Sequence, residues 1–205
     1  MRSWLIVLTV VSMGLLSLTV LAFTGLPYFP LKIAFQQNGY APPTITAEAT
    51  GSAEPDIIEN ASLEDTVTNG DFTIARTTEG VNADLGDGID EQTTWTFDFS
   101  EDPNFDNFPS APLAFARLEL TLTPKSSLVA FDIVRIEGLS DITNPPQFQN
   151  LPVDQETTVQ LELLDFYSSD DILEILSENG ELEMFYADDA IVSFARLSLT
   201  SETQP

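Results

Sequence analysis

The sequence predicts a mainly β protein: an antiparallel β-sandwich of jelly-roll type carrying one short helix, preceded by an N-terminal transmembrane or signal helix. Three observations predict it. From residue 71 onward apolar residues recur with a period of two in about seven short runs separated by Pro, Gly, Asn and Asp. A single stretch near the C-terminus changes to helical spacing behind a Ser-Asp cap. The first twenty-odd residues form an uninterrupted apolar block.

Trp4 to Phe23 holds no charged residue and follows Arg2. As a helix rising about 1.5 Å per residue it would cover roughly 30 Å, the thickness of a bilayer's hydrocarbon core. It reads as an uncleaved signal anchor, or as a signal peptide removed near Ala22, where Val20-Leu21-Ala22 offers small residues. Arg2 favours a cytoplasmic N-terminus, so the rest of the chain is expected outside the cytoplasm. Residues 24–69 are Pro-containing and then small, polar and acidic. They read as a juxtamembrane stretch and linker, with a loosely attached first strand as the alternative.

The folded domain is expected over residues 70–202. Phe72 to Arg76 opens it. In Thr93 to Phe99, Trp95, Phe97 and Phe99 share one face and Thr94, Thr96 and Asp98 the other. Ala116, Leu118, Leu120 and Leu122 alternate with Arg117, Glu119 and Thr121. Val129 to Ile136 is apolar on both faces apart from Asp132 and Arg135 and reads as a central strand. Val159, Leu161 and Leu163 make an inward row. Ser168-Ser169-Asp170-Asp171 caps a helix whose Ile172, Ile175 and Leu176 share a face, and Asn179-Gly180 ends it. Leu182 to Tyr186 and Ala190 to Thr200 close the set, expected to be joined by a tight turn at Asp188-Asp189.

Composition narrows function by exclusion. The chain holds thirty-three acids and seven bases, and no acid precedes Glu48. After Lys32 there remain all thirty-three acids against five bases, a difference of −28. Such a surface repels phosphate backbones and anionic headgroups, which argues against nucleic-acid binding. With no cysteine and no histidine, thiol chemistry, disulfides, Ser-His-Asp triads and His/Cys zinc sites are ruled out.

Two acidic loops are candidate calcium ligand sets. Asn82, Asp84, Asp87 and Asp90 alternate with glycines in the run up to Glu91, and Asp98, Asp102 and Asp106 form a second set. Calcium takes 6–8 oxygens, largely carboxylates and carbonyls. Gly86 stands where the EF-hand pattern requires a third ligand. The other reading of both loops is solvated turns. Trp95, the domain's one tryptophan, falls on a core face, so a sugar-stacking platform is not read from it. Tyr167 and Tyr186 flank the helix. No strand carries two inward acids at alternate positions, as a glycosidase pair would need.

One internal echo stands out. Phe115-Ala116-Arg117-Leu118-Glu119-Leu120-Thr121 recurs as Phe194-Ala195-Arg196-Leu197-Ser198-Leu199-Thr200, six identities in seven. This reads as two strands in equivalent sheet environments, each presenting a Phe and an Arg outward. Either the arginines neutralise cross-strand carboxylates, or they form a patch for an anionic or aromatic ligand.

The runs TWTFDFS, PLAFARLELTLTP, VRIEGL and YADDAIVSFARLSLT together resemble the secreted β-sandwich domains of uncharacterised bacterial envelope proteins, over roughly residues 71–202. The resemblance implies an adhesive, matrix or binding role. The expectation is therefore a non-enzymatic extracytoplasmic module, calcium-stabilised or not, contacting polysaccharide or an envelope protein and held to the membrane through Trp4–Phe23. The alternatives are an accessory subunit of a membrane complex and a glycan-active enzyme.

Overall fold

The computed structural model describes residues 41–77, 84–108 and 111–202, with backbone alone at Val7–Ser12, Leu16–Leu21 and positions 178, 179 and 188. Met1–Ala41 and Pro42–Pro205 are separate compact units. In the first, the described backbone comprises β1 (Val7–Ser12) and β2 (Leu16–Leu21), paired antiparallel. The helix expected over Trp4–Phe23 falls on this stretch, whose remaining residues lie outside the described ones. Among the described residues no helix is long and apolar enough to cross a membrane.

The second unit is mainly β, with two antiparallel sheets and one helix, consistent with a β-sandwich. One sheet runs in the order β10 (Thr157–Glu162), β7 (Leu113–Pro124), β12 (Ala190–Ser201), β3 (Thr44–Thr50). The other runs β4 (Thr66–Asn69), β5 (Phe72–Arg76), β6 (Glu91–Asp98), β11 (Glu181–Asp188), β8 (Ile133–Ile136), β9 (Ile142–Thr143). One buried cluster joins the two sheets: Ile45, Leu118, Leu161 and Leu197 come from the first, and Phe72, Trp95, Phe97, Met184 and Tyr186 from the second. The period-two expectation thus holds for β6, β7, β10 and β12, whose apolar rows face this core. Phe72, Trp95, Phe97 and Phe99 form a run of tilted and edge-on rings with centroids 5.5–6.4 Å apart.

The helix α1 (Ser169–Asn179) is built as its sequence implies. Ser168 and Asp171 form a reciprocal capping box, and Gly180 ends the helix in the left-handed region at φ 75°. Ile172 and Leu176 are buried and Ile175 packs beside them.

Three expectations need correction. The stretch read as a linker, or as a loosely attached first strand, contributes two strands, β3 and β4, and the buried row of Ile45, Ala47 and Ala49 ties β3 firmly along β12. Residues Ser127–Phe131 form a 3-10 turn rather than the start of a central strand, and only Ile133–Ile136 pair, with Leu128 and Phe131 left exposed. The Asp188-Asp189 link is not a hairpin turn: β11 and β12 lie in different sheets. This corner is anchored by Asp132 (2% exposed), whose Oδ2 accepts from the Tyr186 hydroxyl and from the Asp189 N–H at 3.1 Å. A buried carboxylate holding two donors fixes where the chain changes sheet.

Candidate functional site

Three features bear on function: the loop before β6, an acidic cleft beside β3, and the outer face of the four-stranded sheet.

The loop over residues 84–90 was the first candidate calcium site. Its Leu85 is buried and exchanges both backbone hydrogen bonds with Ile58, at 2.9 Å each. Gly86 (φ 100°) and Gly88 (φ 80°) turn the backbone inward in the left-handed region where a side chain would be strained. As a result the N–H groups of Gly86, Asp87 and Gly88 all donate to the Glu91 carboxylate, the last two at 3.1 and 3.0 Å. The loop is a nest whose centre is lined by donors and filled by the protein's own anion. Asp84 Oδ1 accepts from Asn60 N–H at 3.2 Å and Asp87 Oδ1 from Ile89 N–H at 3.1 Å. The Asp90 carbonyl accepts twice from Thr77. Asn82 lies outside the described residues.

Glu91 is 4% exposed. Burial pushes its carboxyl up to about 7, against the opposing pull of the Gly86 and Gly88 N–H bonds, and the Asp87 charge adds to the rise. The register partner of Glu91 on β5 is Arg76, also buried, whose Nη2 donates to the Asp84 carbonyl at 3.4 Å. Glu91 was not singled out from the sequence, yet a signal existed: it shares the inward parity of Thr93, Trp95 and Phe97.

The second candidate set is dispersed. Asp98 Oδ1 accepts from Ser100 N–H at 2.8 Å, and hydrogen bonding from Ser100 holds its carboxyl below the usual range. Asp102 spans two elements: Oδ1 accepts from Asn104 N–H at 2.8 Å and Oδ2 from Thr46 N–H on β3 at 2.9 Å. Its carboxyl is also lowered, chiefly by the Asn104 N–H. Asp106 sits exposed on the 3-10 turn Phe105–Asn107. Among the described residues no three acidic side chains converge as a metal site.

Asp98 and Asp102 instead line a cleft of about 870 Å³ between β3 and the β6 side of the other sheet, together with Glu48, Asp71, Glu101 and Glu183. Asp71 Oδ2 accepts from Thr50 N–H at 2.7 Å and from its hydroxyl at 3.2 Å. Two carboxylates therefore cap outward N–H groups of β3, a sheet edge that would otherwise offer itself for strand addition.

The outer face of the four-stranded sheet carries the internal echo. The two seven-residue copies are neighbours in full antiparallel register, centred on Leu118 opposite Leu197, with Phe115 opposite Thr200 and Thr121 opposite Phe194. Arg196 bonds Glu48 at 2.7 Å and Glu119 at 3.5 Å, while Gln160 donates to the other Glu119 oxygen at 3.0 Å. Hydroxyl pairs extend the rows: Thr44 with Thr200 at 3.0 Å, Thr46 with Ser198 at 3.3 Å, and Thr121 with Thr158 at 3.0 Å. Each arginine lies near the phenylalanine two residues before it, at 5.9 Å for Arg117 and 5.2 Å for Arg196. Cross-strand neutralisation accounts for Arg196; Arg117 makes no ion pair among the described residues.

No protein-family model matches this sequence, and no curated protein matches it.

Proposed function

We propose that this chain is a non-enzymatic binding module displayed outside the cytoplasm, tethered by Trp4–Phe23 or released after cleavage near Ala22, that contacts a polysaccharide of the cell envelope. We read its two sheets as a jelly-roll sandwich. The observation that carries the proposal is that the domain's first and last described strands start and end side by side. Strand β3 enters beside the point where β12 leaves, with Thr44 opposite Thr200 and Ser201 N–H donating to the Pro43 carbonyl at 3.0 Å. The opposite end gathers the turns around Lys125, Asp154 and Asp189, where Lys125 N–H donates to the Asp189 carbonyl and Asp154 N–H to the Pro124 carbonyl, each at 2.8 Å. The first and last described strands of the domain thus lie side by side, away from these turns.

The cleft carboxylates support the non-enzymatic reading. A glycosidase acid needs a raised pKa, whereas Asp98 is held low first by the Ser100 hydroxyl and then by its N–H, and Asp102 chiefly by the Asn104 N–H. The inward donors of the 84–90 loop favour a module steadied by its own hydrogen bonds rather than by calcium.

The test joins topology to binding. A C-terminal reporter active only outside the cytoplasm should be active on the full chain in a bacterial host. The purified Pro42–Pro205 unit should co-sediment with insoluble envelope polysaccharide without releasing reducing ends. Reporter activity confined to the cytoplasm would overturn the localisation, and release of reducing ends would turn the reading to a glycan-active enzyme.

A further inference from the structure

We propose that Arg117 and Phe115, on the outer face of the four-stranded sheet, form a binding site for a carboxylate-bearing sugar, the uronic-acid unit of an acidic polysaccharide. This rests on the binding-module reading above and names the site and ligand class.

The argument begins with the one difference between the two copies of the echo. Because the copies pair about a pseudo-two-fold centred on Leu118 and Leu197, Arg196 lies opposite Glu119 and Arg117 lies opposite Ser198. Glu119 and Ser198 occupy the same place in the two motifs, and they are the only mismatch in seven. On their other sides Arg196 has Glu48 and Arg117 has Glu162 as register partners, so the mismatch adds a second carboxylate, Glu119, beside Arg196 and a hydroxyl, Ser198, beside Arg117.

Neither carboxylate beside Arg117 forms an ion pair with it among the described residues. Glu119, two residues along the same strand, is held by Arg196 and Gln160. Glu162, its register partner on β10, receives the Ala116 N–H at 2.6 Å. In a chain with a formal charge of −26, an exposed guanidinium that forms no ion pair among the described residues is the reverse of what random pairing would leave. It presents a planar fork suited to bidentate recognition of a carboxylate.

Beside it, Phe115 is 50% exposed with the guanidinium 5.9 Å from its ring centroid. An exposed ring next to a cation offers one apolar platform and one charge, the two features a uronic acid presents on its ring face and its carboxyl group. Ser198 and Thr46 continue the row across β12 and β3 with hydroxyls, which can exchange hydrogen bonds with sugar hydroxyls. The acidic surface elsewhere does not prevent this, because at physiological ionic strength charges beyond roughly 8 Å are largely screened.

The experiment is titration calorimetry of the Pro42–Pro205 unit, whose core and sheets are complete within itself, with oligogalacturonate and with the same oligomer after reduction of its carboxyl groups. The variants are Ser198→Glu, which would give Arg117 the partner Glu119 gives Arg196, with Ser198→Ala and Arg117→Ala alongside. The acidic oligomer should bind the parent, and Ser198→Ala, which removes a hydroxyl without adding a charge, should weaken binding far less than Ser198→Glu. Ser198→Glu and Arg117→Ala should each weaken it by roughly tenfold or more, with unchanged circular dichroism. Equal binding of the reduced oligomer, or full binding by Ser198→Glu, overturns the site assignment while leaving a binding module in place. Absence of binding to the acidic oligomer, with retained co-sedimentation on another envelope polysaccharide, likewise overturns this site alone.

Discussion

Replacing Glu91 by Gln should remove most of the dependence of stability on pH between about 5.5 and 8.5. In the fold Glu91 is 4% exposed and its carboxyl is pushed up from 4.5 to about 7, because burial outweighs the N–H groups of Gly86, Asp87 and Gly88. A carboxyl raised by folding stabilises the native state most when protonated. The contribution is fully present below about pH 4.5, its unfolded value, and is lost as the pH rises through about 7. At about 1.36 kcal/mol per pH unit, this loss amounts to about 2 kcal/mol between pH 5.5 and 8.5. For a domain of this size that is roughly 4–8 °C in the thermal midpoint. With no histidine or cysteine in the chain, no other side chain has an ordinary pKa in the middle of that window. The assay is urea unfolding of the parent and Glu91→Gln across it. The amide nitrogen cannot accept from the nest, so absolute stabilities will differ; the slope with pH carries the test. A parent curve that is flat, or an equal fall in both proteins, would refute the account of the nest.

Two other outcomes follow from the same geometry. Thermal unfolding in excess calcium and in chelator should give the same midpoint, since the 84–90 loop turns donors rather than oxygens inward; a shift of several degrees would restore a metal site. Removing both caps of β3 with Asp71→Ala and Asp102→Ala should cost roughly 1 kcal/mol each and produce concentration-dependent self-association in sedimentation velocity. A folded double variant that stays monomeric at every concentration would show that the edge is protected by something else.

Much of the fold was legible because strand and helix periods are local. Trp95, Phe97 and Phe99 on one face, the row from Ala116 to Leu122, and the Ser168–Asp171 cap all follow from spacing that neighbours in sequence impose. The errors fall where the deciding contact is distant. Thr44–Thr50 alternates as a strand, but its inward row is Ile45, Ala47 and Ala49, whose small side chains give a weak signal. Its pairing with β12 spans about 150 residues, as the Arg196–Glu48 bond shows. The Asp188-Asp189 link has the composition of a hairpin turn, yet β11 and β12 pair into different sheets, and the Asp132 carboxylate, more than fifty residues away, bonds the corner.

The candidate site divides in the same way. An oxygen- and glycine-rich loop has one composition whether it encloses a cation or an anion, and the difference lies in where Glu91 points. The alternation of β6 contained that answer, because Glu91 has core parity, but its nest exists only once Gly86 and Gly88 turn their N–H groups toward it. Likewise the repeated FARLELT and FARLSLT are visible in the chain, while their mutual register is not.

By itself the sequence determined the class of the fold, the inward rows, the acidity and the chemistries that lack of histidine and cysteine excludes, since each depends on residue identity and local period. Tertiary structure alone decided which strand neighbours which. Register then sets the neighbours of every outward charge, so it decided that Arg196 is neutralised by Glu48 and Glu119 while Arg117 lies between Ser198 and Glu162 without an ion pair among the described residues.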